Sequence, residues 1–337
     1  MTGNARIVPP ELAPQTALWV GWPHLREEWG EAFEKARSEI AAFIAQAARF
    51  QLVRVACGSA EARQSAGEEL KNTSGQIDLV SVPTGDIWLR DTGPIIAEQD
   101  QKPLALTFEF NGWGGKYVMP GDTETAVAIA AEEKLAMESH GFVLEGGAVE
   151  VDGAGRLLTT RQCLLNPNRN PGWVEADAEA ALRSAFGVED IFWLDQGLVG
   201  DHTDGHIDNL ARFVGPGHVL CQTPSGTDDP QADILLAAEA ALRDAGLRVS
   251  TLPSPGLIHD SNGEPMPASH MNYVIINGAV LLPAYEPLNS AKAAAVLAEL
   301  FPNREIVSCA ARAILQGGGS LHCMTREMPH IGPVAVK

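Results

Sequence analysis

The chain alternates between stretches with apolar residues every three or four positions and short β-rich runs broken by glycine turns. The first pattern is typical of helices that pack on a core, and it is clearest over residues 31–50. Asp229 and Pro230 predict the N-cap and first turn of another helix, which ends at Gly246. Further helices are predicted over 123–139, 174–186 and 290–301.

Three segments, residues 147–160, 209–223 and 272–285, carry two apolar runs around a turn, which predicts β-hairpins. A polar residue of a kind common in active sites stands near the start of each hairpin and of the stretch over residues 91–110. A cysteine near the C-terminus is the fifth residue of this kind. These residues, 53 to 64 positions apart, are Asp91, Glu145, His206, His270 and Cys323. The spacing predicts about five strand-rich modules, each with a helix, around a common centre in one α/β domain over residues 1–337.

Composition places the chain among folded globular proteins, with 45% hydrophobic and 20% charged residues. The net charge of −19 repels phosphate backbones and attracts small cations. We therefore expect no nucleic-acid partner. By itself the charge is also explained by solubility.

The five cysteines form no C-x-x-C pair, which favours free thiols in a reducing compartment. The N-terminal residues lack a basic flank followed by an apolar run, so no signal peptide is predicted. No apolar stretch is long enough to span a membrane. The expected location is the cytoplasm.

Three consecutive glycines precede Cys323 in the segment GGGSLHCMT. Glycines are costly inside helices and strands, and their use is to permit positive φ angles or a close backbone approach. A cysteine behind such a turn is well placed to reach a cleft as a thiolate nucleophile. The alternative is a buried, inert cysteine after a flexible loop.

The segment GDHTDGHIDNLARF is the densest in chemical groups. Its residues His202, Asp204, His206 and Asp208 alternate, and an extended strand would direct all four side chains to one face. Such a face could ligate zinc or iron. Because the chain has no H-E-x-x-H or C-x-x-C motif, we favour an acid/base histidine beside substrate-binding carboxylates, without a metal.

The segment GDIWLRDTGP carries Asp86 and Asp91 around Trp88 and Arg90. Arg90 could be a structural partner for a buried carboxylate. Alternatively, Asp91 receives a cationic ligand while Trp88 offers an aromatic face.

Two glycine-containing loops add candidates. Trp113, in FNGWGGKY, is either a pocket wall or core, and Glu145, in VLEGGAVE, is either a surface carboxylate or a site residue. We predict Asp86, Trp88 and Trp113 as substrate-binding residues.

Rival motifs are absent. The chain has no G-x-S-x-G, P-loop or G-x-G-x-x-G signature, which argues against serine hydrolases, P-loop enzymes and dinucleotide-binding enzymes. A papain-like protease fits poorly because its cysteine precedes its histidine, whereas His206 precedes Cys323 here.

These segments together resemble the agmatine deiminase family of the guanidine-modifying (pentein) superfamily, along nearly the whole chain. The matching stretches are WPH, DIWLRDTGP, FNGWGGKY, LEGGAVEVDGAGRLLTT, CLLNPNRNP, GDHTDGHIDNLARF, MPASHMNY and GGGSLHCMT. The resemblance implies a pseudo-fivefold α/β propeller, a homo-oligomer and a small cationic guanidine as substrate.

The resemblance also implies a role for each candidate. Cys323 matches the nucleophile and His206 the acid/base; Asp91 and Asp208 match carboxylates that hold the guanidinium, Glu145 completes the polar cluster and Trp88 flanks the substrate. The implied reaction is hydrolysis of agmatine to N-carbamoylputrescine and ammonia through a thiouronium on Cys323, without a metal or organic cofactor.

The chain departs from the family pattern in ELAPQTALWVGWP, HMNY and EPLNSAKAAA. We expect these segments to lie away from the catalytic residues and to affect recognition of the substrate's tail. Deimination of free or peptidyl arginine, amidino transfer and non-catalytic ligand binding remain alternatives.

Overall fold

The computed structural model describes residues 6–260 and 262–332, and its strands form five separate sheets. The two ends of the predicted domain, residues 1–5 and 333–337, lie outside the described residues, as does Ser261. The beginning of the segment examined for a signal peptide is therefore not described.

The strands are short, as expected for apolar runs bounded by glycine turns. In chain order they are β1 (Gln15–Gly21), β2 (Val53–Cys57), β3 (Ile77–Ser81), β4 (Ile95–Gln99), β5 (Lys102–Glu109), β6 (Ala136–Val143), β7 (Val149–Val151), β8 (Arg156–Thr160), β9 (Asp190–Leu194), β10 (Ala211–Gly215), β11 (His218–Thr223), β12 (Arg248–Pro253), β13 (Val274–Ile276), β14 (Ala279–Ala284), β15 (Glu305–Ala310) and β16 (Thr325–Pro329).

Helices occupy the connections between strands. They are α1 (Arg26–Trp29), α2 (Phe33–Ala47), α3 (Ala60–Leu70), α4 (Leu89–Thr92), α5 (Gly112–Gly115), α6 (Asp122–Glu132), α7 (Arg161–Leu164), α8 (Glu175–Phe186), α9 (Ala232–Asp244), α10 (Pro287–Leu300) and α11 (Arg312–Leu315). Three single 3₁₀ turns lie at Gly30–Ala32, Gly146–Ala148 and Ile207–Asn209.

Four sheets share one plan, in which an antiparallel hairpin is followed by a helix and a parallel strand. The hairpins are β4-β5, β7-β8, β10-β11 and β13-β14, and the parallel additions are β6, β9, β12 and β15. A parallel neighbour needs a crossover, which α6, α8, α9 and α10 provide.

The remaining sheet joins the two ends of the chain. Its order is β16-β1-β2-β3, with β16 antiparallel to β1 and the other pairs parallel. The last described strand therefore supplies the hairpin partner that the first strand lacks. The three predicted hairpins are confirmed, and residues 91–110 contain a fourth, β4-β5. The plan of a hairpin followed by a helix repeats, as the spacing predicted.

The predicted helices over 31–50, 174–186 and 290–301 are confirmed as α2, α8 and α10, with shifted ends. Helix α10 begins earlier, at Pro287, because the Glu286 carboxylate caps it by accepting the backbone N–H groups of residues 288–290. The buried stripe of α2 includes Ile40, Phe43 and Ile44, which pack in the core beside β1 and β2.

Two details of the helix prediction are wrong. The helix predicted over 123–139 ends at Glu132, where Lys134 has a left-handed φ of 57°, and the following residues form β6. The helix after Pro230 begins at Ala232. Its predicted N-cap, Asp229, instead accepts hydrogen bonds from the backbone N–H groups of Ser225 and Gln231 in the preceding turn.

Among residues 6–260 and 262–332, no helix is both long and apolar enough to cross a membrane.

Candidate active site

The chemical groups of different sheets meet where the hairpins begin. Asp91 precedes β4, Glu145 precedes β7, His206 and Asp208 precede β10, and Cys323 precedes β16. Short contacts between these side chains, described below, bring the five predicted catalytic residues into one cluster.

Cys323 lies in a tight turn just before β16 and is 4% exposed. Its Sγ accepts a hydrogen bond from Asn272 Nδ2 at 3.2 Å and lies 3.9 Å from Asp208 Oδ2. The backbone N–H of Arg90 donates to the Cys323 carbonyl at 3.0 Å. Two of these contacts hold the sulfur, and the third holds the main chain that carries it.

The glycines before Cys323 allow close packing, as the sequence predicted. A Cβ at Gly317 would lie 2.4 Å from the Trp29 ring, and one at Gly319 would lie 2.6 Å from the Trp88 ring. Gly318 has a φ of 104°, which disfavours any other residue. The loop thereby lies directly against two tryptophans beside the thiol.

Asp91 is buried at the end of α4 and is held at both carboxylate oxygens. Trp113 Nε1 donates to Oδ2 at 2.9 Å, and the Gly147 backbone N–H donates to Oδ1 at 3.0 Å. His206 Nδ1 lies 3.7 Å from the same Oδ1. Trp113 therefore orients Asp91 as well as lining the cavity.

The predicted strand through residues 202–208 is wrong. The segment is a series of turns in which Asp204 has a φ of 65°, followed by the 3₁₀ turn at Ile207–Asn209. His206 and Asp208 are fully buried, whereas His202 is exposed at the cavity rim. Asp204 pairs with Lys116 and Arg169 instead. The four side chains thus do not share one face.

His206 is enclosed by acidic groups. Its Nε2 lies 4.0 Å from Glu145 Oε2, opposite the approach of Asp91 to Nδ1. Glu145 is fully buried, and its Oε1 accepts a hydrogen bond from Arg169 Nε at 2.8 Å. Arg169, in CLLNPNRNP, was not predicted as a site residue, although a buried glutamate requires a cationic or donor partner.

Asp208 has one oxygen engaged and one available. Its Oδ2 lies 2.7 Å from His322 Nδ1. Its Oδ1 is buried and has no hydrogen-bond partner among the residues that the structure describes. A buried carboxylate oxygen without a donor is a natural acceptor for a bound cation.

A cavity of about 170 Å³ opens beside Cys323 and Asp91. Three tryptophans form much of its wall, and Trp29 and Trp88 stack with centroids 5.9 Å apart. Other lining residues are Glu28, Asp86, Tyr117, Met119, His202, Thr203, Gln316 and the three glycines. The acidic and aromatic lining suits a flat cation.

Asp86 lies in this wall and accepts a hydrogen bond from Trp29 Nε1 at 3.0 Å. Burial, more than any other influence, raises the pKa of Asp86 to about 7. Arg90, from the same segment, forms ion pairs with Glu327 at 2.7 Å and with Glu11 at 3.5 Å. Its interpretation as a structural residue therefore agrees with its contacts.

The local charges set the resting protonation of the thiol and the imidazole. Burial, followed by the carboxylates of Asp208 and Asp91, raises the pKa of Cys323 well above its usual value. Burial opposes a charged His206, but the Asp91 carboxylate, the neighbouring Cys163 and the Glu145 carboxylate together outweigh it and raise the pKa of His206 well above its usual value. These shifts favour a neutral thiol and an imidazolium at neutral pH before substrate binds.

One group among the described residues has the composition of a metal site. Glu145, Cys163 and His206 offer ligand atoms within 4.8 Å of one another. Arg169 already pairs with Glu145 at 2.8 Å, and a protonated His206 carries a proton on both ring nitrogens and has no lone pair for a metal. The alternating His and Asp residues of 202–208, considered above as metal ligands, do not form such a group.

His270 does not belong to the cluster. Its ring contacts the carbonyl of Pro253 and the hydroxyl of Ser290 instead. Asn272, two residues later, points to Cys323 in its place. The expectation that HMNY lies away from the catalytic residues is therefore wrong, and so is that for ELAPQTALWVGWP, because Glu11 contacts His322 next to Cys323.

The family model of the Porphyromonas-type peptidyl-arginine deiminases matches residues 7–329. The chain belongs to this family. As a member, it is 37% identical to the agmatine deiminase of Stutzerimonas stutzeri over 353 residues, covering 96% of this chain and 95% of the relative. It is 35% identical to the agmatine deiminase of Pseudomonas aeruginosa, with the same coverage.

Solved structures of related proteins have the same fold as this chain. The C. jejuni agmatine deiminase, in a cysteine-to-serine form with substrate bound, has a TM-score of 0.92 at 29% identity and covers 99% of both chains. The Enterococcus faecalis agmatine deiminase has a TM-score of 0.90 at 26% identity and covers 98% of both chains. An amidinotransferase from Microseira wollei, at 11% identity and a TM-score of 0.52, shares the fold.

Proposed function

We propose that this protein hydrolyses agmatine to N-carbamoylputrescine and ammonia. The observation that carries the proposal is a cavity that joins a cysteine thiol to Asp91, Asp86 and three tryptophans. The agmatine deiminases among its relatives, at 34% to 37% identity over 96% of the chain, support the same substrate. The reaction class is hydrolysis of a C–N bond in a linear amidine.

The cavity lining favours agmatine over arginine. Agmatine ends in an amine, whereas free arginine carries an α-carboxylate that needs a cationic partner. None of the described residues that line the cavity is Lys or Arg, while Glu28 and Asp86 are acidic. The small volume also favours a free substrate over an arginine within a peptide chain.

We further propose that the five sheets close into a pseudo-fivefold α/β propeller that forms one catalytic domain. The supporting observations are the repeated plan of hairpin, helix and parallel strand, and the pairing of β16 with β1. Such closure would place the start of each hairpin near one axis, where the catalytic groups lie.

In the proposed ground state, Asp91 and Asp208 hold the guanidinium beside Cys323. After burial, both carboxylates raise the pKa of the Cys323 thiol. A bound cation offsets their field and lowers the pKa of Cys323, so thiolate forms when substrate is present. Trp88 supplies an aromatic face to the planar group.

The thiolate then attacks the guanidinium carbon. His206, an imidazolium in the resting site, donates a proton to the departing nitrogen, and ammonia leaves. A thiouronium remains on Cys323, and the now neutral His206 takes a proton from water as it attacks this carbon. As this intermediate collapses, the C–S bond breaks, the hydroxyl proton passes to the departing Cys323 sulfur, and the ureido product leaves beside a neutral thiol. Glu145 stabilises the imidazole whenever it is protonated.

This chemistry transfers protons and a single carbon–nitrogen bond, so neither a metal nor an organic cofactor is required by the proposed steps. Assembly as a homo-oligomer, a cytoplasmic location and the absence of nucleic-acid partners remain predictions.

The proposal is tested by measuring ammonia release from agmatine, arginine and a peptidyl arginine. Agmatine is expected to give the highest kcat/KM by at least about a hundred-fold, since the arginine carboxylate would be buried without a partner. Release from arginine at an equal rate would contradict the proposed specificity. No release from any of the three would contradict the deiminase function.

Replacing Gly147 by alanine is expected to lower kcat/KM at least about a hundred-fold. A Cβ there would lie 2.5 Å from His206 Nδ1, 2.9 Å from Asp91 Oδ1 and 3.2 Å from Asp208 Oδ2. Small displacements of reacting groups cost about this much. Gly215→Ala is the matched control, since a Cβ at Gly215 meets no atom within 4 Å. Equal activity of the two variants would contradict the packing argument.

Agmatine binding is expected to weaken as the pH falls through about 7, where Asp86 gains a proton. The agmatine amine, like lysine, stays charged in this range, so its attraction to Asp86 falls as that carboxylate gains its proton. Calorimetry in the Cys323→Ser background should show Kd about tenfold higher at pH 6 than at pH 8. The added change Asp86→Asn should flatten this dependence. An unchanged pH dependence in the Asn variant would contradict the role of Asp86.

A further inference from the structure

His322 lies between two buried carboxylates next to the nucleophile. Its Nδ1 is 2.7 Å from Asp208 Oδ2, and its Nε2 is 2.8 Å from Glu11 Oε2. All three side chains are within a few per cent of full burial. The steps proposed above leave His322 without a role, although an imidazole beside the cysteine is a candidate for one.

Both ends of this arrangement are anchored. The His322 backbone N–H donates to Asn272 Oδ1 at 2.8 Å, which fixes the main chain that carries the ring. Glu11 Oε2 also accepts from Arg212 Nη2 at 2.6 Å, and its Oε1 accepts from the Ile275 backbone N–H. The imidazole is therefore held on the side away from Asp208.

The anchored ring fixes the rotation of the Asp208 carboxylate through Oδ2. A carboxylate rotates readily about its last torsion, with a broad two-fold preference. Because Oδ2 is occupied by His322, Oδ1 is left without a partner among the described residues. The tether thus holds Oδ2 3.9 Å from Cys323 Sγ and leaves Oδ1 of the same carboxylate free to accept a further donor.

We propose that His322 is a positioning residue that, supported by Glu11, fixes Asp208 for guanidinium binding. The inference rests on the proposed function, because it assigns Asp208 to the substrate. It also gives the N-terminal segment around Glu11 a part in building the site, through one intervening side chain.

Two substitutions of the same residue separate positioning from general packing. The amide nitrogen of asparagine reaches the place of Nδ1, so His322→Asn keeps the hydrogen bond to Asp208 and loses that to Glu11. The longer glutamine reaches the place of Nε2, so His322→Gln keeps the contact with Glu11 and releases Asp208. Both substitutions remove the imidazole ring. Thermal unfolding of each variant measures how much stability that removal costs.

The expected result is an ordered loss. His322→Asn should keep kcat/KM for agmatine within about threefold of the wild type, whereas His322→Gln should raise KM at least about tenfold with a smaller change in kcat, because binding is lost. The same order should appear in agmatine Kd, measured by calorimetry in the Cys323→Ser background. A merely structural role predicts similar losses in both variants.

Three outcomes would overturn the inference. Equal losses of agmatine affinity in the two variants, or a larger loss in His322→Asn, would exclude positioning through Asp208. The proposed function would still stand, because it depends on the activity of the wild type. If His322→Gln does not fold, the test rests on His322→Asn. A folded His322→Asn that loses more than about tenfold in kcat/KM would then contradict the positioning role by itself. No ammonia from the wild type would overturn the proposed function and this inference together.

Discussion

Replacing Cys323 by serine is expected to reduce ammonia release from agmatine at least about a thousand-fold. The guanidinium carbon is a weak electrophile because resonance spreads its charge, and a neutral hydroxyl is a far poorer nucleophile than a thiolate. The change removes no large group, and the Asn272 amide can still donate to the serine oxygen. Substrate binding should therefore persist while turnover is lost.

The matched control is Cys309→Ser, the same chemical change at a buried cysteine of β15 that does not line the cavity. Its activity per folded molecule should stay within about twofold of the wild type. Mass spectrometry of wild-type protein quenched during turnover should detect the thiouronium on Cys323. Substantial activity in Cys323→Ser would exclude this residue as the nucleophile.

His206→Asn is expected to lower kcat by about 10² to 10⁴, the usual contribution of a general acid/base. The amide cannot donate a proton to the departing ammonia or accept one from water. The loss should fall mainly on kcat, since Asp91 and Asp208 still bind the substrate. Asp91 and Glu145 lose a positively charged neighbour, which adds to the effect.

His218→Asn controls for the loss of an imidazole. His218 lies on β11 and contacts the Ser250 hydroxyl. Its replacement should leave kcat within about twofold. If His206→Asn retained full kcat, proton transfer would have to be assigned to another group.

The parts of the fold and site that sequence could predict depend on local pattern. Hairpins such as β7-β8 and β13-β14 were predictable because apolar alternation and a turn are encoded within a few residues. The glycines before Cys323 likewise signalled a close approach, and the structure supplies the neighbours in Trp29 and Trp88.

The predictions of secondary structure were wrong where contacts between distant parts of the chain determine the local conformation. Residues 136–139 form part of β6 because β5 pairs with them in parallel, a contact that no local pattern contains. The alternation of His and Asp over 202–208 resembled a strand, but Asp204 adopts a left-handed conformation that breaks it.

The partners of the nucleophile were equally hidden. His270 was predicted because histidine is common in active sites, yet the turn that follows directs Asn272 to Cys323. His322 and Glu11 are 311 positions apart, so their contact follows from the pairing of the chain's first and last strands. A buried polar pair of this kind leaves no periodic signal in sequence.

The most direct test of the central claim is to follow agmatine turnover in ¹⁸O-labelled water while measuring ammonia. Hydrolytic deimination predicts one ammonia for each agmatine consumed and one ¹⁸O atom in the ureido group of N-carbamoylputrescine. Agmatine that is not consumed, or consumption that needs an added amine and leaves no label in the product, would contradict it.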